Sequence, residues 1–209
     1  MVSQNLKVGF DAHTLGKKAT GNEVYAEGLI AGYTELQSQE FDFTLYVTAP
    51  IPQFEGQFKM QVIANSPVKR LVCDFPFLLG RDKPDVVHFQ YISPMFCSVP
   101  TVLTVHDLSF LHHPECFPIS MRKRLEWLVP RAIKKATHIV TPSHMSKLDI
   151  IKNYGLNEDE VSVVYNGVSE IFSPASEQRT ENVQSKYGCS RPYLLLLVLY
   201  SLVKTFNVF

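Results

Sequence analysis

The chain has 209 residues, 45% of them hydrophobic, with 20 Lys plus Arg against 20 Asp plus Glu. That is enough apolar material for the core of one large globular domain. A formal charge of zero leaves no global field to gather nucleic acid or an anionic membrane, so nucleic acid is excluded as a general partner and any membrane contact has to be local. Cys73, Cys97, Cys116 and Cys189 are widely spaced and form no CxxC pair, which argues against a zinc knuckle or a disulfide framework and for reduced, buried thiols.

From the N-terminus, the short apolar stretch in residues 1–10 is interrupted by Lys7, too short for the h-region of a signal peptide, so a cytoplasmic location is expected. Residues 6–10 read as a strand, residues 14–21 as a loop, and residues 22–37 as a helix burying Val24, Leu29 and Leu36. A second strand is expected at 43–47. After the Pro-rich turn at 49–52, weaker strand signals fall at 61–64 and 69–73. Residues 85–89 and the β-branched run 101–105 read as central strands.

Residues 119–136 have a helical period, with Met121, Leu125, Leu128, Ala132 and Ala136 on one stripe and Pro130 inside it. A short strand at 137–141 leads to Pro142-Ser143, where Ser143 is the N-cap candidate of a helix facing Met145, Leu148 and Ile150 or Ile151 inward and ending at Gly155. Residues 161–165 form the last strand of this series, and Asn166-Gly167 turns the chain. Residues 173–186 read as a connector with some helix. Residues 193–203 are almost wholly apolar but shorter than the ~20 needed to span a bilayer as a helix, so a buried strand is expected there. The alternation predicts an α/β fold, Rossmann-like, with a mostly parallel sheet covered by helices on both faces.

In such sheets ligands bind beyond the carboxyl ends of the strands, which directs attention to the loops after Phe10, Phe89, Val105 and Thr141. In the first, Gly21 and Asn22 stand where a helix begins, offering unpaired N–H groups to an anion such as a diphosphate; Asn22 as a plain N-cap is the competing reading. In the third, His106 and Asp107 follow a strand. Neutral imidazole offers one donor and one acceptor to a substrate hydroxyl, or His106 satisfies buried backbone while Asp107 caps a turn. His112-His113-Pro114-Glu115 lacks the spaced carboxylate of a metal shell, and no metal site is expected. Arg122, Lys123, Arg124, Arg131, Lys134 and Lys135 surround Trp127 on one helix, either a surface for an anionic lipid or a solvated basic face. Walker A, G-x-G-x-x-G and G-x-S-x-G patterns are absent, which disfavours P-loop NTPases, typical NAD enzymes and α/β-hydrolases.

Three ordered segments carry a resemblance. Thr104-Val105-His106-Asp107-Leu108-Ser109-Phe110-Leu111-His112-His113-Pro114-Glu115, then Val140-Thr141-Pro142-Ser143-His144-Met145-Ser146-Lys147, then Val163-Val164-Tyr165-Asn166-Gly167-Val168 are similar to consecutive segments of the N-terminal domain of family 4 glycosyltransferases. The resemblance implies one half of a GT-B fold, with residues 1–172 as the acceptor-side domain, 173–192 as connector and 193–209 as the interrupted start of a donor-binding domain. It implies a retaining transferase that moves a sugar from a nucleotide-sugar to a saccharide or lipid-linked acceptor, without a metal or other cofactor. On this pattern His106 contacts the reacting sugar and Gly21 and Asn22 approach the donor diphosphate, joined by Lys204. Asp107, Ser143, Asn166 and Gly167 support the loops. The family's glycine-containing loop after the strand at 193 and its E-x7-E segment are missing.

Three functional readings therefore stand. The first is a transferase of which this chain supplies the N-terminal half, with a separately encoded C-terminal half as one possible partner and a peripheral location at the inner membrane face as another. The second is a truncated remnant or acceptor-binding module without catalysis. The third is a flavodoxin-like regulator unrelated to the motifs.

Overall fold

The computed structural model describes residues 5–17, 20–36, 40–169 and 172–189. The expected strand at 193–203 and Lys204 lie outside the described residues. The chain divides into two units, Met1–Asn166 and Gly167–Phe209.

The first unit is built on seven strands: β1 (Leu6–Asp11), β2 (Phe41–Val47), β3 (Lys59–Val62), β4 (Val86–Gln90), β5 (Thr101–Thr104), β6 (His138–Thr141) and β7 (Val161–Val163). They form one sheet in the order β3-β2-β1-β4-β5-β6-β7, and every pair is parallel. The fold is the expected Rossmann-like α/β architecture. Parallel strands need crossovers, and the helices that make them cover both faces. Helix α1 (Thr20–Leu36) packs Ala26 and Ile30 against Phe10, Phe43, Leu45 and Val47 on one face. On the other face lie α3 (Phe75–Asp82), α5 (Ile119–Lys135) and α6 (His144–Tyr154). They bring Phe75, Leu125, Val129, Ile133 and Ile150 against Val87, Phe89, Leu103 and Ile139.

Five sequence expectations need correction. Residues 69–73 are helical rather than a strand: α2 (Pro67–Lys69) runs into a π-helical turn, Arg70–Asp74, and then into α3. A short apolar run has no decisive period of its own, and here the chain must travel from the sheet edge at β3 past β2 and β1 to reach β4, which a helical crossover achieves. Helix α1 starts two residues early and buries Ala26 and Ile30, while Val24 is 67% exposed. Helix α6 buries Ile150 and leaves Met145 and Leu148 exposed, and α5 turns Leu125, Val129, Ala132 and Ile133 inward with Met121 outward. Nor is any of the four free cysteines buried: Cys73 is exposed and the other three are half-buried. Cys97, for example, sits in a loop with its Sγ 3.5 Å from Val99 O and Thr101 Oγ1.

The α6 boundaries follow the expected chemistry. Ser143 Oγ accepts from Ser146 N at 3.1 Å, and Gly155, at φ 66°, terminates the helix in the left-handed region. In the second unit, α7 (Glu177–Tyr187) has Ser176 as its N-cap and ends at Gly188, φ 63°.

Candidate functional site

Strand order reverses between β1 and β4, so their carboxyl ends open the crevice where doubly wound sheets take ligands. The residues at this edge are polar and unusually positioned. Asp11, 1% exposed at the end of β1, accepts hydrogen bonds from the His13 backbone N–H at 3.2 Å and is 2.9 Å from His13 Nδ1. At the end of β4, Tyr91 has φ 57°, a left-handed conformation that a bulky residue adopts at a cost and that concentrates at functional sites. Two bonds hold it: Tyr91 N–H donates to Thr104 O at 2.8 Å, and Ile92 N–H closes a three-residue turn onto Gln90 O at 2.6 Å.

His106, two residues beyond β5, is the centre of the cluster. Its Nε2 lies 3.3 Å from Gln90 Oε1. With the amide oxygen facing the ring, Nε2 carries the hydrogen and Nδ1 keeps its lone pair. Tyr25 of α1 meets the imidazole edge to face at 4.6 Å between centroids, and Tyr91 flanks it at 5.4 Å. Burial holds the His106 pKa below the ordinary histidine value, against the opposing pull of the Asp107 carboxylate, so the ring is neutral at pH 7. A neutral imidazole held in this way keeps the Nδ1 lone pair to accept one hydrogen bond without adding a charge to the site.

A second layer fixes this geometry. Thr104 Oγ1 is 2.9 Å from Tyr25 OH and 2.7 Å from His88 Nε2, and His88 Nδ1 is 3.2 Å from Tyr33 OH. Burial lowers the His88 pKa to about 4, with Asp11 opposing and His106 adding to the shift. Beside His106, the buried Gln90 Nε2 has no hydrogen-bond partner among the described residues. Such an orphan donor is costly without a ligand or water to receive it.

The other residues singled out by sequence fall around this centre. Gly21 and Asn22 lie inside the first turn of α1 rather than before it, which removes Asn22 as the N-cap. They stand four and three positions before Tyr25, on the same side of the helix as the residue that touches His106. Asp107 accepts from Ser109 N at 2.8 Å and so turns the chain into the short helix α4 (Ser109–His112). Ser143 caps α6 beyond β6. Asn166 ends the first unit and Gly167 begins the second. His112 pairs with Asp149 at 2.7 Å, and among the described residues no group of three or more His, Cys, Asp or Glu could hold a metal ion.

Sequence reading missed Tyr25, Gln90, Tyr91, Thr104 and His88. The Tyr25 to Thr104 and Tyr33 to His88 bonds span 79 and 55 positions, so no local pattern announces them. Gln90-Tyr91 directly after a central strand was the available signal.

The sequence model of Glycosyltransferase Family 4 matches residues 34–170, more than half of the chain. The O-antigen chain mannosyltransferase RfbU of Salmonella typhimurium is 28% identical over 91 residues, which cover 44% of this chain and 25% of that protein. A glycosyltransferase from Rickettsia africae superposes with a TM-score of 0.56 at 14% identity, over 90% of this chain and 51% of that one. Anabaena HepE, solved in complex with UDP-glucose, gives 0.57 at 17% identity, over 88% and 50%. At these identities the structural likeness carries the fold alone. The chain spans about half the length of these solved proteins and a quarter of the mannosyltransferase.

Proposed function

Because the chain belongs to glycosyltransferase family 4, we propose that it forms the acceptor-side half of a retaining sugar transferase that uses a nucleotide-sugar donor and a saccharide or lipid-linked acceptor. The observation that carries this reading is the neutral, half-buried His106 set between Tyr25 and Tyr91 at the sheet's switch point, with the orphan Gln90 amide beside it. On this reading residues 1–172 are the acceptor domain, 173–192 the connector, and 193–209 the beginning of a donor-binding domain.

Chemically, departure of a nucleoside diphosphate leaves negative charge on its oxygens and positive charge on the sugar ring. Preorganised N–H donors and exclusion of water lower that barrier. The first-turn N–H groups at Gly21 and Asn22 aim the positive end of α1 at the diphosphate. His106 hydrogen-bonds a sugar hydroxyl and fixes the ring, while Asp107 holds the loop. This reading calls for no metal or other cofactor: the N–H donors of the first turn face the leaving charge.

The protein works at the cytoplasmic side of the membrane. Among the described residues no helix is long and apolar enough to cross one. Contact is peripheral, through α5, whose outward side carries Lys123, Arg124, Arg131 and Lys134 around the half-exposed Trp127. The test is transfer from UDP-, GDP- and ADP-sugars by the chain joined to a donor-binding domain, with the product anomer read by NMR. Transfer with retained configuration supports the reading; no transfer from any donor, with acceptors of both classes present, overturns it in favour of a non-catalytic binding module.

A further inference from the structure

The amino ends of β1, β2 and β3 carry a cavity remote from the crevice. Side chains two apart on a strand share a face, and the register sets Lys7 beside Asp42, Gly9 beside Thr44, and Thr44 beside Lys59. This is the face that α3 covers: Phe75 meets the Tyr46 ring edge-on at 5.3 Å. The helix ends at Asp82, where Lys83 turns the chain at φ 45°. Between Asp82 and the strand starts lies a cavity of about 490 Å³, lined by Lys7, Asp42, Thr44, Tyr46, Lys59 and Asp82 among others. That is the size of a small-molecule site. Lys7 stands four residues before Asp11 on β1, about 13 Å along the strand from the carboxyl end.

Tyr46 forms the buried floor. The residue is 0% exposed, and its ring lies over Gly9, which has no side chain to hold it off. Its hydroxyl has no hydrogen-bond partner among the described residues. Burial first, and then the Asp82 carboxylate, raise the Tyr46 pKa, so the hydroxyl keeps its proton and is a donor without an acceptor. A phenol buried in this way costs free energy that phenylalanine, packing equally well on Phe75, would avoid. An oxygen of a ligand in the cavity relieves that cost.

The charges around the mouth select the ligand, because both signs are present. Lys7 joins no ion pair among the described residues. Lys59 is 3.7 Å from Asp82, which Arg81 holds more closely at 2.8 Å. Asp42 accepts from Asn5 Nδ2 at 3.1 Å. An anion would meet Asp42 and Asp82, a cation would meet Lys7 and Lys59, and an apolar molecule would leave the Tyr46 hydroxyl unpaired. A neutral molecule with several hydroxyls satisfies all of them: carboxylates accept from its O–H groups, while the ammonium and phenol donate to its oxygens. We propose that this cavity is a second saccharide-binding site, which holds a sugar unit at the amino end of the sheet, away from the reacting centre. It stands whether or not the chain catalyses transfer.

The experiment titrates the 209-residue chain with methyl α-mannoside, methyl α-glucoside and maltose, and with glycine as a zwitterion, following affinity by NMR and stability by Tm. At least one glycoside is expected to bind the wild type and raise its Tm. Tyr46→Phe is expected to weaken that binding by about fivefold, with an unliganded Tm at or above that of the wild type. Lys7→Gln and Asp42→Asn, both at exposed positions outside the core, are each expected to weaken it by a similar factor, about fivefold. His106→Asn is expected to leave it unchanged. The proposal is overturned if no glycoside binds, which means that the cavity holds solvent only. It is also overturned if His106→Asn loses the glycoside while the three other variants keep it, which places all binding in the crevice. Glycine bound in place of the glycosides makes the cavity a zwitterion site, and a fall in the unliganded Tm of Tyr46→Phe shows the hydroxyl already paired; either result rejects the saccharide.

Discussion

The Tyr25 ring stands edge-on against the His106 imidazole, 4.6 Å between centroids at 87°, while its hydroxyl lies 2.9 Å from Thr104 Oγ1. One side chain therefore ties the first turns of α1 to the end of β5. Tyr25→Phe keeps the ring contact and loses the hydroxyl, which is expected to cost about 1 kcal/mol of stability with little change in sugar transfer. Tyr25→Ala frees the imidazole and is expected to lower kcat more than it raises the acceptor KM. Thermal unfolding and steady-state kinetics on both variants check the split.

Acid should destabilise the protein through His88. Its folded pKa of about 4 lies below the ordinary histidine value of 6.5, so the unfolded chain binds a proton in that window and the folded chain does not. Stability is full above pH 6.5, declines as pH falls, and levels off near pH 4, for a loss of about 3 kcal/mol. His106, lowered in the same direction, adds to it. His88→Gln is expected to flatten the dependence of Tm on pH between 7 and 4.5, whereas an unchanged slope would mean that other groups set it.

Gly9, in the middle of β1, has room for no side chain. An added Cβ would lie 3.0 Å from Tyr46 Cε2 and 3.3 Å from Val87 Cγ2, and Tyr46 is itself packed edge-on against Phe75 at 5.3 Å. Gly9→Ala is expected to destabilise by about 1–3 kcal/mol through overpacking, read as a lower urea midpoint at unchanged m-value.

Membrane contact through α5 has a charge signature. The one acid on this helix, Glu126, pairs with Arg122 at 3.3 Å, leaving Lys123, Arg124 and Lys134 without an acidic partner among the described residues. Arg131 covers the Trp127 ring at 4.0 Å, and Lys135 donates to Met95 O, next to the exposed Phe96. Replacing Lys123 and Lys134 by Gln is expected to cost about 2 kcal/mol of binding to phosphatidylglycerol vesicles, roughly thirty-fold. Cosedimentation should weaken with salt for the wild type, and equal sedimentation of both proteins would reject the contact.

Much of this was legible in the sequence because it is local. The β-branched run before Val105 and the hydrophobic strands at 6–10 and 85–89 announce a buried parallel sheet, and Ser143 and Gly155 announce the ends of α6 by their own side-chain and backbone chemistry. The helical crossover at Pro67–Asp82 was missed because Leu71-Val72-Cys73 has the composition of a strand, and only the distance from β3 to β4 across the sheet decides otherwise. Val24 and Leu148 were placed inward on hydrophobicity alone, but the side of each helix that meets the sheet is set by the packing of Ala26, Ile30 and Ile150. The same reasoning accounts for the site. His106 shows itself by following a strand, whereas Tyr25 acquires its meaning from Thr104, 79 positions away in the chain.

The most direct test of the central claim is His106→Asn in the chain joined to a donor-binding domain, assayed for sugar transfer beside the wild type. Asparagine preserves a donor and an acceptor of similar size but not the ring between Tyr25 and Tyr91. A fall in kcat of about a hundredfold, with Tm and donor affinity unchanged, is the predicted result. Wild-type turnover in His106→Asn, with the protein folded and the donor bound, would contradict the placement of the reacting sugar at this histidine.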